Sequence, residues 1–151
     1  MKKILLFIGI LIPWFLSSLL PIDYNYYKSL NLPFFAPPSI FYIIAWTIIY
    51  IGISISIYQI LNSYKLKDIK ASYKITLIIN YLFNQSFQLV FFILKNNFLG
   101  FISCLGTFIT TLFLYNETKN LKETSTKYLI PYILLSIFAT ILSLSIYLLN
   151  L

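Results

Sequence analysis

Five stretches of this chain carry no charged residue at all: Ile4 to Ile22, Pro38 to Tyr64, Ile75 to Leu94, Asn96 to Asn116 and Tyr128 to Leu151. A helix needs roughly 20 apolar residues to cross a hydrocarbon core of about 30 Å. No water reaches that core to satisfy backbone N–H and C=O groups, so a crossing segment must be a helix or a strand of a closed barrel. Barrel strands alternate apolar and polar residues over about ten positions, and these runs do not. The pattern therefore predicts an all-α integral membrane protein, a bundle of five transmembrane helices over about 4–22, 38–64, 75–94, 97–116 and 128–150. Composition agrees: charged residues make up 10% and hydrophobic ones 60% of the 151 residues, whereas a soluble domain carries roughly 25% charged.

The connections are short, so neighbouring helices should run antiparallel in a single domain covering 1–151. The opening Met1-Lys2-Lys3 before an apolar run has the outline of a signal peptide. No A-x-A-like cleavage site follows, Pro13 and Trp14 interrupt the run, and the expectation is an uncleaved first helix. Orientation follows from lysine, since the 11 basic residues include no arginine. Lys2, Lys3, Lys65, Lys67, Lys70, Lys74, Lys119, Lys122 and Lys127 fall on the side of the N-terminus, and only Lys28 and Lys95 fall opposite. Excess lysine marks the cytoplasmic side, which puts the N-terminus inside and the C-terminus outside. The net charge of +7 is explained by that asymmetry and by contact with anionic lipid; scattered loop lysines give no reason to expect nucleic acid.

Several chemistries fall away. There is no histidine, and the one cysteine, Cys104, lies within an apolar run, so neither an internal disulfide nor a zinc or His-ligated haem site is expected. The four acids, Asp23, Asp68, Glu117 and Glu123, sit in or beside loops. No buried carboxylate marks a proton relay or an ion-coupled pump. No glycine-rich phosphate loop appears, and serines such as Ser86 have no histidine to activate them.

What remains inside the membrane is polar and uncharged, concentrated in the third span as Asn80, Asn84, Gln85 and Gln88. Asn80, Asn84 and Gln88 recur at i, i+4, i+8 and form one stripe, with Phe83 and Phe87 beside it. Such amides serve equally well as glue between helices or as donors and acceptors lining a cavity. In the second span Trp46 and Tyr50 are one turn apart, and packing and a ligand platform are again both open. Between the first two spans, Asp23 to Pro37 is aromatic and proline-rich, which suggests a segment folded back over the bundle as a lid.

At this point the chain resembles the TspO/MBR family, the tryptophan-rich sensory proteins and the mitochondrial translocator or peripheral benzodiazepine receptor. Pro21-Ile22-Asp23 and Tyr26-Tyr27-x-x-Leu30-x-x-Pro33-x-x-x-Pro37-Pro38 are similar to the family's first loop, followed by Phe41, Trp46 and Tyr50 of its second helix. Asn80-Tyr81-Leu82-Phe83-Asn84-Gln85 with Phe91-Phe92 resembles the asparagine motif of the third helix. Leu129-Ile130-Pro131-Tyr132, Phe138-Ala139-Thr140 and Asn150 resemble the fifth. The resemblance implies a single TspO/MBR-like domain in a bacterial cell membrane, usually a homodimer. It implies a pocket for porphyrins, steroids and synthetic aromatic ligands, lined by Trp46, Tyr50, Asn80, Asn84, Phe87, Leu135 and Ala139. Tyr27, Pro33, Pro37 and Pro38 would belong to the lid. A porphyrin would be a ligand, not a cofactor, held by stacking and amide contacts without metal ligation.

The departures narrow the expectation. Tyr26 and Phe83 stand where the family often has tryptophan, Leu32 where it has lysine, and Leu135 where some bacterial members have a second pocket tryptophan. Light- and oxygen-dependent porphyrin degradation, implied for some members, would rest on Trp46 alone. The family's cholesterol motif needs a basic residue after a tyrosine in the last helix, and only Leu148, Leu149, Asn150 and Leu151 follow Tyr147. Three readings remain: a receptor or sensor for tetrapyrroles that moves or buffers them, a porphyrin-degrading enzyme, and a lipid- or steroid-binding membrane-organising protein. For the dimer seam, the resemblance implies the third span, whereas the small-xxx-small pair Gly100 and Cys104 favours the fourth. Trp14, with no motif match, is expected to lie away from the pocket.

Overall fold

The computed structural model describes residues 2–151; Met1 lies outside the described residues. All the regular secondary structure of those residues is helical, with no strand among them. Helix α1 runs from Lys2 to Leu11 and continues as a 3₁₀ helix from Ile12 to Leu19; α2 is the short Tyr24–Ser29. Then come α3, Ser39–Ser63, and α4, Ala71–Gln88, which ends in a π-turn over Leu89–Ile93. Helix α5, Asn97–Lys122, runs on through a 3₁₀ turn, Glu123–Tyr128, into α6, Ile130–Leu149. Four helices, α3 to α6, are long and apolar enough to cross a membrane, and α1 with its 3₁₀ extension is a shorter apolar helix.

Local chemistry accounts for the boundaries. Pro13 brings no N–H to an α-helical ladder, and α1 tightens to 3₁₀ there. Asp23 caps α2 by accepting the Tyr26 N–H at 2.9 Å, and Asn96 caps α5 through the Leu99 N–H at 2.9 Å. The chain reverses between α4 and α5 on Lys95, held at φ 50° in the left-handed region. Helix α5 extends past the charge-free run because Glu117, Lys119 and Lys122 already lie in the solvated end, where Ser72 donates to Glu117 at 2.8 Å.

The tightest pairings are α4 with α5 and α5 with α6. Glycine makes the first possible: a Cβ on Gly106 would meet the Phe83 ring at 2.4 Å, and one on Gly100 would meet the Phe91 ring at 2.8 Å. The α5 face expected at a dimer seam is packed inside the protomer. Gly100, Ser103, Cys104 and Thr107 are buried within the protomer, and Ser103 shares a 3.0 Å hydrogen bond with Ser86 of α4. The small-residue face of α5 is used for internal packing.

Two apolar cores result. One, around Trp14, Ile53, Ile60, Tyr73 and Tyr132, fills the lysine-rich half. The other, around Phe91, Leu142 and Ile146, lies at the opposite end under the segment joining α1 to α3. That segment is fastened at both edges. Asp23 pairs with Lys95 at 2.9 Å and Tyr26 donates to Asn97 at 2.7 Å. The Asn31 backbone N–H and C=O bond the Asn150 amide at 2.9 and 3.0 Å.

Candidate functional site

Between the two cores lies a cavity of about 420 Å³, within the usual range of roughly 300–1,000 Å³ for small-molecule pockets. Its lining carries no charged residue. One wall is the N-terminal half of α3, with Tyr42, Trp46 and Tyr50; the facing wall is α4, with Asn84, Phe87, Gln88, Phe91 and Phe92. Helix α5 contributes Cys104 and Thr107, and α6 contributes Ser136, Ala139 and Ser143. Rings pair on both sides: Phe87 lies parallel to Phe91 at 5.1 Å and 14°, and Trp46 lies tilted by 36° against Tyr50 at 5.8 Å. Two aromatic shelves joined by neutral donors and acceptors suit a flat, apolar guest.

A continuous hydrogen-bond network sets the polar side. The Asn84 Oδ1 accepts from the Tyr50 hydroxyl at 3.0 Å and from the Gln85 amide at 2.9 Å, while its Nδ2 donates to the Tyr132 hydroxyl at 3.3 Å. Tyr132 in turn donates to Asn80 Oδ1 at 3.0 Å. An amide has two N–H groups, so one N–H of Asn84 is left for the cavity that this residue lines. Gln85 turns the other way. Its Oε1 accepts the Ser17 N–H at 2.8 Å and its Nε2 donates to the Trp14 carbonyl at 3.1 Å, stitching α4 to the 3₁₀ part of α1.

The structure divides the sequence-selected residues. Trp46, Tyr50, Asn84, Phe87, Ala139 and Tyr27 line the cavity together. Asn80 does not: it is fully buried, with its Nδ2 within 2.9 to 3.2 Å of Thr107, Thr110 and Thr111 on α5. The i, i+4 stripe therefore splits into helix-joining glue at its N-terminal end and cavity lining at its C-terminal end. Leu135 lies in a separate shallow groove on the outer surface, beside Ile48, Pro131 and Phe138. Ala139, one turn further along α6, lines the cavity itself. Pro33, Pro37 and Pro38 are also outside the lining. They shape the connection: the Pro33 carbonyl accepts the Ala36 N–H at 3.0 Å, and Pro38 sits at the N-cap position of α3.

Trp14 corrects the expectation that it lies away from the pocket. It is 3% exposed and stacks on Tyr50 at 5.9 Å and 29°, directly behind the cavity wall. Sequence reasoning also left Gln88 and Tyr42 out of the lining. Gln88 makes none of the interhelical bonds that occupy Asn80, Asn84 and Gln85, and it was detectable as the third member of the stripe. At the rim, Asp23 titrates below the ordinary carboxylate value of 3.8, first because it accepts the Tyr26 N–H and then because Lys95 is beside it.

The sequence matches the TspO/MBR family over residues 4–149. It is 39% identical over 134 residues to the tryptophan-rich protein TspO of Bacillus cereus, covering 89% of this chain and 86% of that protein. It is 35% identical over 133 residues to the uncharacterized membrane protein YtaB of Bacillus subtilis, covering 88% and 85%. With the tryptophan-rich protein TspO of Archaeoglobus fulgidus the identity is 29% over 132 residues, covering 83% and 80%.

Proposed function

We propose, on the premise that this chain belongs to the TspO/MBR family, that it is a membrane receptor or sensor that holds a tetrapyrrole or another flat apolar molecule between α3 and α4. The observation that carries this reading is the pair of aromatic shelves facing one uncharged cavity, with the spare amides of Asn84 and Gln88 between them. The 20–38 segment acts as the lid over its outer end. The bundle crosses the membrane five times: the ten α-helical residues of α1 rise about 15 Å and its eight 3₁₀ residues about 16 Å, together near the hydrocarbon thickness of about 30 Å. The lysine-rich end faces the cytoplasm. A homodimer would join on a face other than the buried one of α5.

Titration of protoporphyrin into the purified protein tests the reading through quenching of tryptophan fluorescence and a rise in melting temperature. Ligand at 100 times its Kd should stabilise the fold by about 2.7 kcal/mol. Absence of both effects at saturating porphyrin would reject it.

One observation favours the enzymatic alternative enough to keep it. Trp46, Tyr50, Trp14 and Tyr81 form an unbroken aromatic ladder with steps of 5.8, 5.9 and 5.3 Å, leading from the cavity into the core. A ladder of oxidisable rings offers an electron route that Leu135 does not. Bleaching of bound porphyrin in light and oxygen, lost in Trp46→Phe, would support degradation; bleaching indifferent to that change would exclude Trp46 from it.

A further inference from the structure

The α-helical half of α1 packs along α3, whereas its 3₁₀ half leans on α4 instead. The cause is local. Past Pro13 the helix is tied to α4 by the Tyr81 hydroxyl on the Pro13 carbonyl at 3.0 Å and by the Gln85 amide on Trp14 and Ser17. Phe15 against Tyr50, at 5.2 Å, marks where α1 and α3 still touch. Beyond that point both sides contribute residues to the cavity wall, Ser18 with Ile22 of the following connection from one and Ile43 and Thr47 from the other.

We infer that the pocket opens sideways into the bilayer, through a portal between the 3₁₀ half of α1 and the outer half of α3, and that membrane-dissolved ligands enter and leave by it. This inference rests on the reading that the cavity binds a ligand. Ile43 lines the cavity and is also 58% exposed on the bundle's outer surface. In a membrane-spanning bundle that surface meets hydrocarbon. The portal's hydroxyls suit that solvent, because each is satisfied by its own helix: Ser18 donates to the Phe15 carbonyl at 2.6 Å and Thr47 to the Ile43 carbonyl at 2.7 Å. The route toward water is covered by a segment fastened to Lys95, Asn97 and Asn150. A portal without charge admits neutral, flat, lipid-soluble molecules and rejects ions.

The test compares two bridges made with one bis-maleimide in a Cys104→Ser background, in vesicles. Bridging Ser18→Cys to Ile43→Cys should slow exchange of protoporphyrin dimethyl ester, which carries no charge, between bilayer and protein at least about tenfold relative to the same variant unbridged, as closing a gate does. Bridging Asn31→Cys to Asn150→Cys, which locks the lid, should leave exchange within about twofold by the same reasoning. A second readout needs no porphyrin: lipids brominated in mid-chain should quench Trp46 in a Trp14→Phe protein, and the portal bridge should relieve the quenching. Relief without any porphyrin binding would reject the proposed ligand and leave the portal standing. Exchange slowed by the lid bridge instead of the portal bridge, or bromine quenching unchanged by the portal bridge, would overturn it.

Discussion

Gln85 and Gln88 stand one turn apart on α4, and replacing each by leucine changes the same chemistry at two sites of opposite character. Gln85→Leu removes three hydrogen bonds, to Ser17 at 2.8 Å, Trp14 at 3.1 Å and Asn84 at 2.9 Å. Two of them join helices, where hydrogen bonds average about 0.6 kcal/mol each, so their direct loss amounts to about 1 kcal/mol. The Ser17 N–H and Trp14 C=O are also left without their side-chain partner, at a further cost of about 1–3 kcal/mol for each group that stays unpaired. A destabilisation of about 1–7 kcal/mol follows, the lower end applying if the 3₁₀ turn re-pairs the two groups by itself. Gln88→Leu breaks no interhelical bond and should stay within about 0.5 kcal/mol of the wild type, while altering ligand affinity. Equilibrium unfolding in mixed micelles with increasing SDS, followed by tryptophan fluorescence, measures both. Equal effects, or a larger one at Gln88, would refute the assignment of one amide to packing and the other to the pocket.

Other perturbations have equally definite outcomes. Trp46→Ala should weaken protoporphyrin binding several-fold, since an aromatic pair contributes about 1 kcal/mol beyond its buried area. Trp46→Phe should recover most of it in the same titration, and Asn84→Ala should lower both affinity and SDS resistance because Tyr50 and Tyr132 share its amide. The dimethyl ester of protoporphyrin should bind at least as tightly as the free acid, because the lining has no cation to receive a propionate; competition between the two measures it. Asp23 titrates below 3.8 in the folded protein, so its contribution to holding α2 and the Lys95 contact is complete at neutral pH and is lost as pH falls through that lowered value. Hydrogen exchange over 24–30 should accelerate there in the wild type, and at all pH values in Asp23→Ala. Cys104, buried inside the protomer, should give no Cys104-to-Cys104 cross-link in membranes, as a gel without reductant will show.

The sequence was most legible where one physical demand dominates. Charge-free runs of about 20 residues leave little choice but helices, and α3 to α6 lie where those runs are. Partners are another matter, because periodicity tells which residues share a face and not what that face meets. Asn80 and Asn84 share a stripe, yet one meets the threonines of α5 and the other the cavity. Gly100 and Cys104 had the spacing of a helix seam, and the partner turned out to be α4 of the same chain. Pro13 was visible as an interruption, but its consequence was not. Tightening α1 to 3₁₀ brings Trp14 in behind Tyr50, and no motif spacing encodes that rotation.

The closeness of Gly100 to Phe91 reaches further than helix packing. The Phe91 ring forms part of the cavity wall and is pressed between Phe87 on one side and the bare backbone of α5 on the other. A methyl group at position 100 would have to displace that ring, and much of the neighbouring space is the cavity itself. The pocket's bore is therefore governed by a residue outside its lining. A single added carbon there would narrow the range of guests without altering any group that binds them.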